Sequence, residues 1–114
     1  MDGLQAAQED VCRRFGAECA PTPLDAILGA AVRTLRAEGT IHGLRHPLRG
    51  ASCGWYIWCG DLSPDPDFFQ PVHAEEFADL APTVLPYLGL PPGWRFLLTP
   101  GYEDAWYDPE LLSL

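Results

Sequence analysis

Cys53-Gly54-Trp55-Tyr56-Ile57-Trp58-Cys59-Gly60 is the stretch on which the fold turns. Extended, it points Trp55, Ile57 and Cys59 one way and Tyr56 and Trp58 the other. Both faces are apolar, so a strand here belongs in the middle of a sheet, covered on both sides. Upstream, Ile41 to Leu48 reads as its partner strand, joined to it by the turn-rich Arg49-Gly50-Ala51-Ser52.

Further toward the N-terminus the pattern becomes helical. Leu4, Ala7, Val11 and Phe15 share one side at helical spacing, and Gly16 is a natural stop. A second helix is expected from Thr22. Its signals are a capping Thr before Pro23, an acid at Asp25, and the stripe Leu24, Ile27, Leu28, Ala31 and Leu35, closed by Gly39. Arg33 and Arg36 lie off that stripe, near the negative end of the helix dipole. These two helices are a thin cover for two apolar faces, so Trp58 is expected to be covered by helix or by a second subunit.

Downstream, Asp61 to Pro71 is a loop with three prolines, which at least one ring of Phe68-Phe69 should anchor. His73 to Leu80 reads as a short helix, with Phe77 and Leu80 inward. Pro82 opens another helical piece, weakened at Pro86 by the missing backbone donor. Leu90-Pro91-Pro92-Gly93 is a rigid turn. Trp94, Phe96 and Leu98 mark a third strand, Ala105 to Asp108 a fourth with Trp106 inward, and Pro109 to Leu112 a final helical turn. The order helix, helix, hairpin, helix, hairpin predicts an α+β fold, with a mainly antiparallel sheet of about four strands and helices on its faces. It is expected as a single domain over residues 1–114, with a helical N-terminal part at 1–40 and a core at 41–112.

The charge is lopsided. Residues 61–114 hold ten carboxylates and one arginine, whereas residues 1–60 hold six acids and six arginines, so the net charge of -9 sits in one half. There it is interleaved with Trp and Tyr, which suits a surface meant for a basic partner. The same balance argues against nucleic acid and against docking on an anionic membrane. With 47% hydrophobic residues, twelve prolines and eleven glycines, the chain is a turn-rich globule and no acidic tail. The N-terminus lacks a signal peptide's basic flank and apolar run, and no stretch reaches transmembrane length. A cytoplasmic location is the simplest expectation, with Cys12, Cys19, Cys53 and Cys59 reduced.

A family likeness is carried by Gly54-Trp55-Tyr56-Ile57-Trp58-Cys59-Gly60-Asp61, Asp67-Phe68-Phe69 and Ala81-Pro82-Thr83-Val84-Leu85-Pro86-Tyr87-Leu88. It continues through Leu90-Pro91-Pro92-Gly93-Trp94-Arg95-Phe96 and Gly101-Tyr102-Glu103-Asp104-Ala105-Trp106-Tyr107-Asp108. This succession, over roughly residues 41–112, resembles the immunity protein 33-like domain family. That is a bacterial group assigned to contact-dependent or secreted toxin systems, and it overlaps an older domain of unknown function. The resemblance implies a toxin-neutralising protein without enzymatic activity or cofactor, acting in the cytoplasm of the producing cell, with a cognate protein toxin as partner. It fixes no contact residues. Those expected from chemistry are the acids Asp61, Asp65, Asp67, Glu103, Asp104 and Asp108, with Tyr102 and Trp58 as aromatic anchors. A monomer and a homodimer are both open. The rival reading is a cytoplasmic interaction or regulatory module with no toxin.

Chemistry-bearing constellations are thin. The cysteine spacings do not match the tight pairs of zinc sites. Cys53, Cys59 and His73 have no spacing that suggests a nucleophile and base, and Cys59 reads as a small core residue. His42 and His46 share a side of an extended segment but lack further ligands. Asp61, Asp65 and Asp67 lack the glycine and terminal glutamate of a calcium loop. Arg95 is expected to pair with one of the acids of the last hairpin and hold its register.

Overall fold

The computed structural model of the chain describes residues 3–36, 39–48, 50 and 52–113. Helix α1 (Gly3–Phe15) is followed by strands β1 (Ile27–Ala30), β2 (Ile41–Arg45), β3 (Ser52–Cys59) and β4 (Gln70–His73). A 3-10 turn at Ala74–Glu76 runs into the short helix α2 (Phe77–Leu80), and a longer 3-10 helix occupies Pro82–Gly89. Strands β5 (Trp94–Thr99) and β6 (Tyr102–Tyr107) make the last hairpin, and a 3-10 turn at Pro109–Leu112 follows. The strands form one mixed sheet in the order β4-β1-β3-β2-β5-β6. Every neighbouring pair is antiparallel except β1 with β3. The fold is α+β, with six strands where about four were expected.

β3 lies inside the sheet, between β1 and β2, with Trp55 and Ile57 wholly buried. The turn between β2 and β3 includes Arg49 and Ala51, which lie outside the described residues.

The second helix expected from Thr22 does not form. Its middle, Ile27–Ala30, is strand β1, and only Thr34–Arg36 takes a 3-10 turn. A short apolar run satisfies helical spacing and strand burial equally, so periodicity cannot separate them. Pairing separates them here: Ala30 lies against Ile57 of β3 on one side and Gln70 of β4 on the other. Thr22 is no cap. It is buried, its hydroxyl donates to the Leu88 carbonyl at 2.6 Å, and its N–H donates to the Gln8 side chain at 3.0 Å. Strand β4, read as loop and helix start, exists because β1 is there to pair with it.

One face of the sheet carries the core. Trp55, Ile57 and Cys59 meet Leu28, Ala30, Phe96 and Leu98 under α1 and the 3-10 helix Pro82–Gly89. Gly43 makes this possible: a side chain there would overlap the Phe96 ring, which lies across it. Polar groups in this layer are satisfied by backbone. Buried Arg45 donates to the carbonyls of Cys53, Ala20 and Leu90 at 3.0, 2.8 and 2.8 Å, tying three segments together. Burial lowers its pKa. The Cys12 thiol donates to the Gly89 carbonyl at 3.2 Å, and burial pushes its pKa up to about 12.

Among the described residues no α-helix lies over the opposite face, and the 3-10 turn Pro109–Leu112 only meets it at His46. The segment between β3 and β4 folds back across that face instead, and Phe69 sets its ring edge-on to Tyr56 and Trp58 at 5.1 and 6.0 Å. Trp58 is therefore covered by its own loop, where a helix or a second subunit was expected. A helix needs a long connection to reach that face, whereas this loop starts one residue after β3 ends.

Candidate protein-interaction surface

The sequence-predicted residues fall on strand β3, the loop after it and the last hairpin with the turn that follows. Trp58 is only 5% exposed; His42 stacks on it at 5.2 Å, and its indole N–H donates to the Gly60 carbonyl at 3.1 Å. It is a wall of the open face and no projecting anchor. Asp61, Asp65 and Asp67 are exposed on the covering loop. Asp65 accepts from the Asp67 N–H at 2.9 Å, a turn-forming bond that leaves the rest of these carboxylates in solvent.

The acids of the last hairpin are divided by strand alternation. Glu103 faces the helical side, where it accepts from Arg14 at 2.6 Å; this bond is the main reason the Arg14 pKa is raised. Asp104 faces the open side and turns back to accept from the Ala105 N–H at 2.9 Å. Asp108 is partly buried: one oxygen pairs with Arg95 at 3.1 Å and the other accepts from the Glu110 N–H at 3.1 Å. The expected Arg95 ion pair is thus made with Asp108. It bridges the two strands next to the register pair Arg95 and Trp106.

β6 also carries exposed aromatic residues. Tyr102 is 58% exposed, Trp106 39% and Tyr107 50%, all on β6. Trp106 was expected inward; the inward position belongs to Ala105, which lies opposite Phe96 and is small enough to leave room for that ring. Trp106 consequently faces out beside Tyr102 and Asp104. The missed signal was Ala105 itself, the one small apolar residue in a run of large and charged ones.

Over β2 and β3, with β5 between it and β6, the open face forms a groove of about 450 Å³ lined by Leu44, His46, Tyr56, Trp58, Leu62 and Phe69, among others. Leu62 at its rim is exposed. His42 and His46 are half-buried: the His46 ring meets Tyr56 at 5.6 Å, and its Nδ1 lies 3.1 Å from the Leu111 carbonyl. Desolvation lowers the His42 pKa, helped by Arg95 and opposed by Asp61. Among the described residues no group of three or more His, Cys, Asp or Glu could hold a metal ion. No helix among them is long and apolar enough to cross a membrane. This surface presents exposed aromatic rings on β6, an apolar groove and the solvent-exposed acids of the loop after β3.

The Imm33-like domain family matches residues 7–108. The match begins far upstream of residue 41, so most of α1 and all of β1 belong to it together with the hairpins. No curated protein and no solved structure matches the chain.

Proposed function

The chain belongs to the Imm33-like domain family, a non-catalytic immunity-protein type, and on that premise we propose that it binds and neutralises a cognate protein toxin. Neutralisation is by occlusion in the cytoplasm of the producing cell. The observation that carries this reading is β6, the last strand of the sheet, with Tyr102, Trp106 and Tyr107 exposed around Glu103 and Asp104. Tyrosine and tryptophan are the side chains that most often anchor a protein interface. The net charge of -9 favours a basic toxin surface and speeds encounter with it.

The test is co-purification with the proteins encoded beside this gene, followed by binding kinetics of any captured partner at low and high salt. Trp106→Ala and Tyr102→Ala should each weaken the complex at least about tenfold, mainly through faster dissociation. Association should slow as salt rises from about 0.05 to about 0.5 M. Unchanged affinity in both variants, or association indifferent to salt, counts against this surface. Turnover of a substrate by the purified chain sinks the reading altogether.

A further inference from the structure

We propose that the free edge of β6 is a strand-docking site, to which an extended cationic segment of the partner adds as a seventh strand. This rests on the protein-binding reading above and specifies how the contact is made.

The argument starts from which backbone groups face outward. The β5–β6 register runs unbroken from Trp94 opposite Tyr107 to Thr99 opposite Tyr102. Just beyond it, the Asp108 N–H donates to the Gly93 carbonyl at 2.6 Å. In an antiparallel ladder, residues that bond the neighbouring strand alternate with residues that point away from it. Asp108 points inward, so Tyr102, Asp104 and Trp106 do too. Glu103, Ala105 and Tyr107 direct their N–H and C=O groups to the edge. The Ala105 N–H agrees: its partner is the Asp104 carboxylate and not β5.

The two edges of the sheet are built differently. β4 has four residues and carries Pro71, a residue that blunts an edge by removing a donor. β6 has six residues with no proline, no lysine and no break in register. Among the described residues its guard is the Asp104 side chain on the Ala105 N–H. That guard is conditional, because a cationic side chain arriving beside Asp104 competes for the carboxylate and frees the donor. Main-chain pairing then supplies affinity, while Tyr102 and Trp106 grip alternate side chains on the open face.

Charge selects the occupant. A second copy would bring another strand bearing Glu103 and Asp104, and another net -9, against the first. Like charges across paired strands are destabilising. Arg14 offsets Glu103 alone. An extended segment with arginine or lysine at alternate positions has neither problem.

Two probes test this. One is a synthetic peptide of about ten residues alternating valine and arginine, alongside the same peptide N-methylated at alternate amides. The other is the toxin partner that co-purifies with this chain from among the proteins encoded beside its gene. The variant is Ala105→Pro, which removes an outward donor and leaves the β5–β6 ladder bonds in place. The plain peptide should slow amide exchange at Glu103, Ala105 and Tyr107 of the unmodified protein by about tenfold or more, and the methylated peptide should not. Ala105→Pro should weaken toxin binding at least about tenfold. Equal binding of both peptides, or protection confined to the groove around Leu44 and Tyr56, overturns the inference. A dimer of the unmodified chain that Ala105→Pro abolishes reassigns the edge to a second copy and also overturns it. Failure of the unmodified chain to bind the toxin removes the neutralisation reading. Equal toxin binding by the unmodified chain and Ala105→Pro removes strand docking alone.

Discussion

Thr22 and Trp55 donate to the same oxygen, the Leu88 carbonyl, at 2.6 and 3.0 Å. One residue comes from the segment after α1 and the other from the central strand, and both close on the end of the 3-10 helix. Thr22→Val should cost about 1–2 kcal/mol, because the carbonyl keeps its indole partner. Trp55→Phe keeps the hydroxyl partner but loses ring volume, and should cost about 2–3 kcal/mol. The double variant orphans a buried carbonyl and should exceed the sum by about 1 kcal/mol. Urea unfolding of the four proteins measures this coupling, and strict additivity would refute the shared-acceptor account.

Arg45 is buried, and its guanidinium bonds three backbone carbonyls. Arg45→Met preserves the stem beside Trp55 and strips all three acceptors of their donor. A loss of at least about 3 kcal/mol is expected. Arg45→Lys should recover only part of it, since a single ammonium cannot span the fork. Equal stability of the lysine variant and the unmodified chain in denaturant titration would show that charge matters here and geometry does not.

His42 lies half-buried on Trp58, and desolvation together with Arg95 lowers its pKa below the ordinary 6.5. The unfolded chain therefore takes up this proton first as pH falls. The stability His42 contributes is complete above its unfolded pKa and is lost as pH drops through the folded one. His42→Gln should flatten the decline in stability from about pH 7 to about pH 5. Asp61→Asn should lower the His42 pKa further, because Asp61 opposes the shift. NMR titration of the imidazole reads both effects, and an upward shift in Asp61→Asn would contradict the placement.

Cysteine reactivity should separate by burial. Cys12 is held as a neutral thiol by an apolar site and its bond to Gly89, while Cys19 is half-buried. In the folded protein iodoacetamide should alkylate Cys19 first and Cys12 only on unfolding, since the thiolate is the reactive form. Cys19→Ser should remove the fast phase. A fast phase that survives this change would place the reactive thiol elsewhere.

Much of the fold was legible because its signals are local. The alternation at Trp55–Cys59, the turn before Trp94, the break at Gly16 and the prolines at 82 and 86 each announce an element within a few residues of sequence. Residues 22–35 were illegible because what holds them is distant: Thr22 closes on Leu88, and β1 pairs with β3 and β4. The candidate surface divided the same way. Tyr102 and the loop acids were recognisable as exposed from composition. Trp58 is covered as expected, though by a loop, whereas Trp106 faces out, because alternation says that neighbours face opposite ways but not which way is inward.

By itself, then, the sequence determined a two-sided apolar central strand, the last hairpin and a negative charge confined to one half, all consequences of residue type and short-range spacing. Only the tertiary structure decided that β1 is a strand, that a loop covers Trp58, and that β6 ends the sheet with its outer backbone groups paired to no other strand among the described residues. The reason is physical. A strand's hydrogen-bond partners lie on other segments, so which edge stays unpaired is a property of the assembled sheet and of no stretch within it.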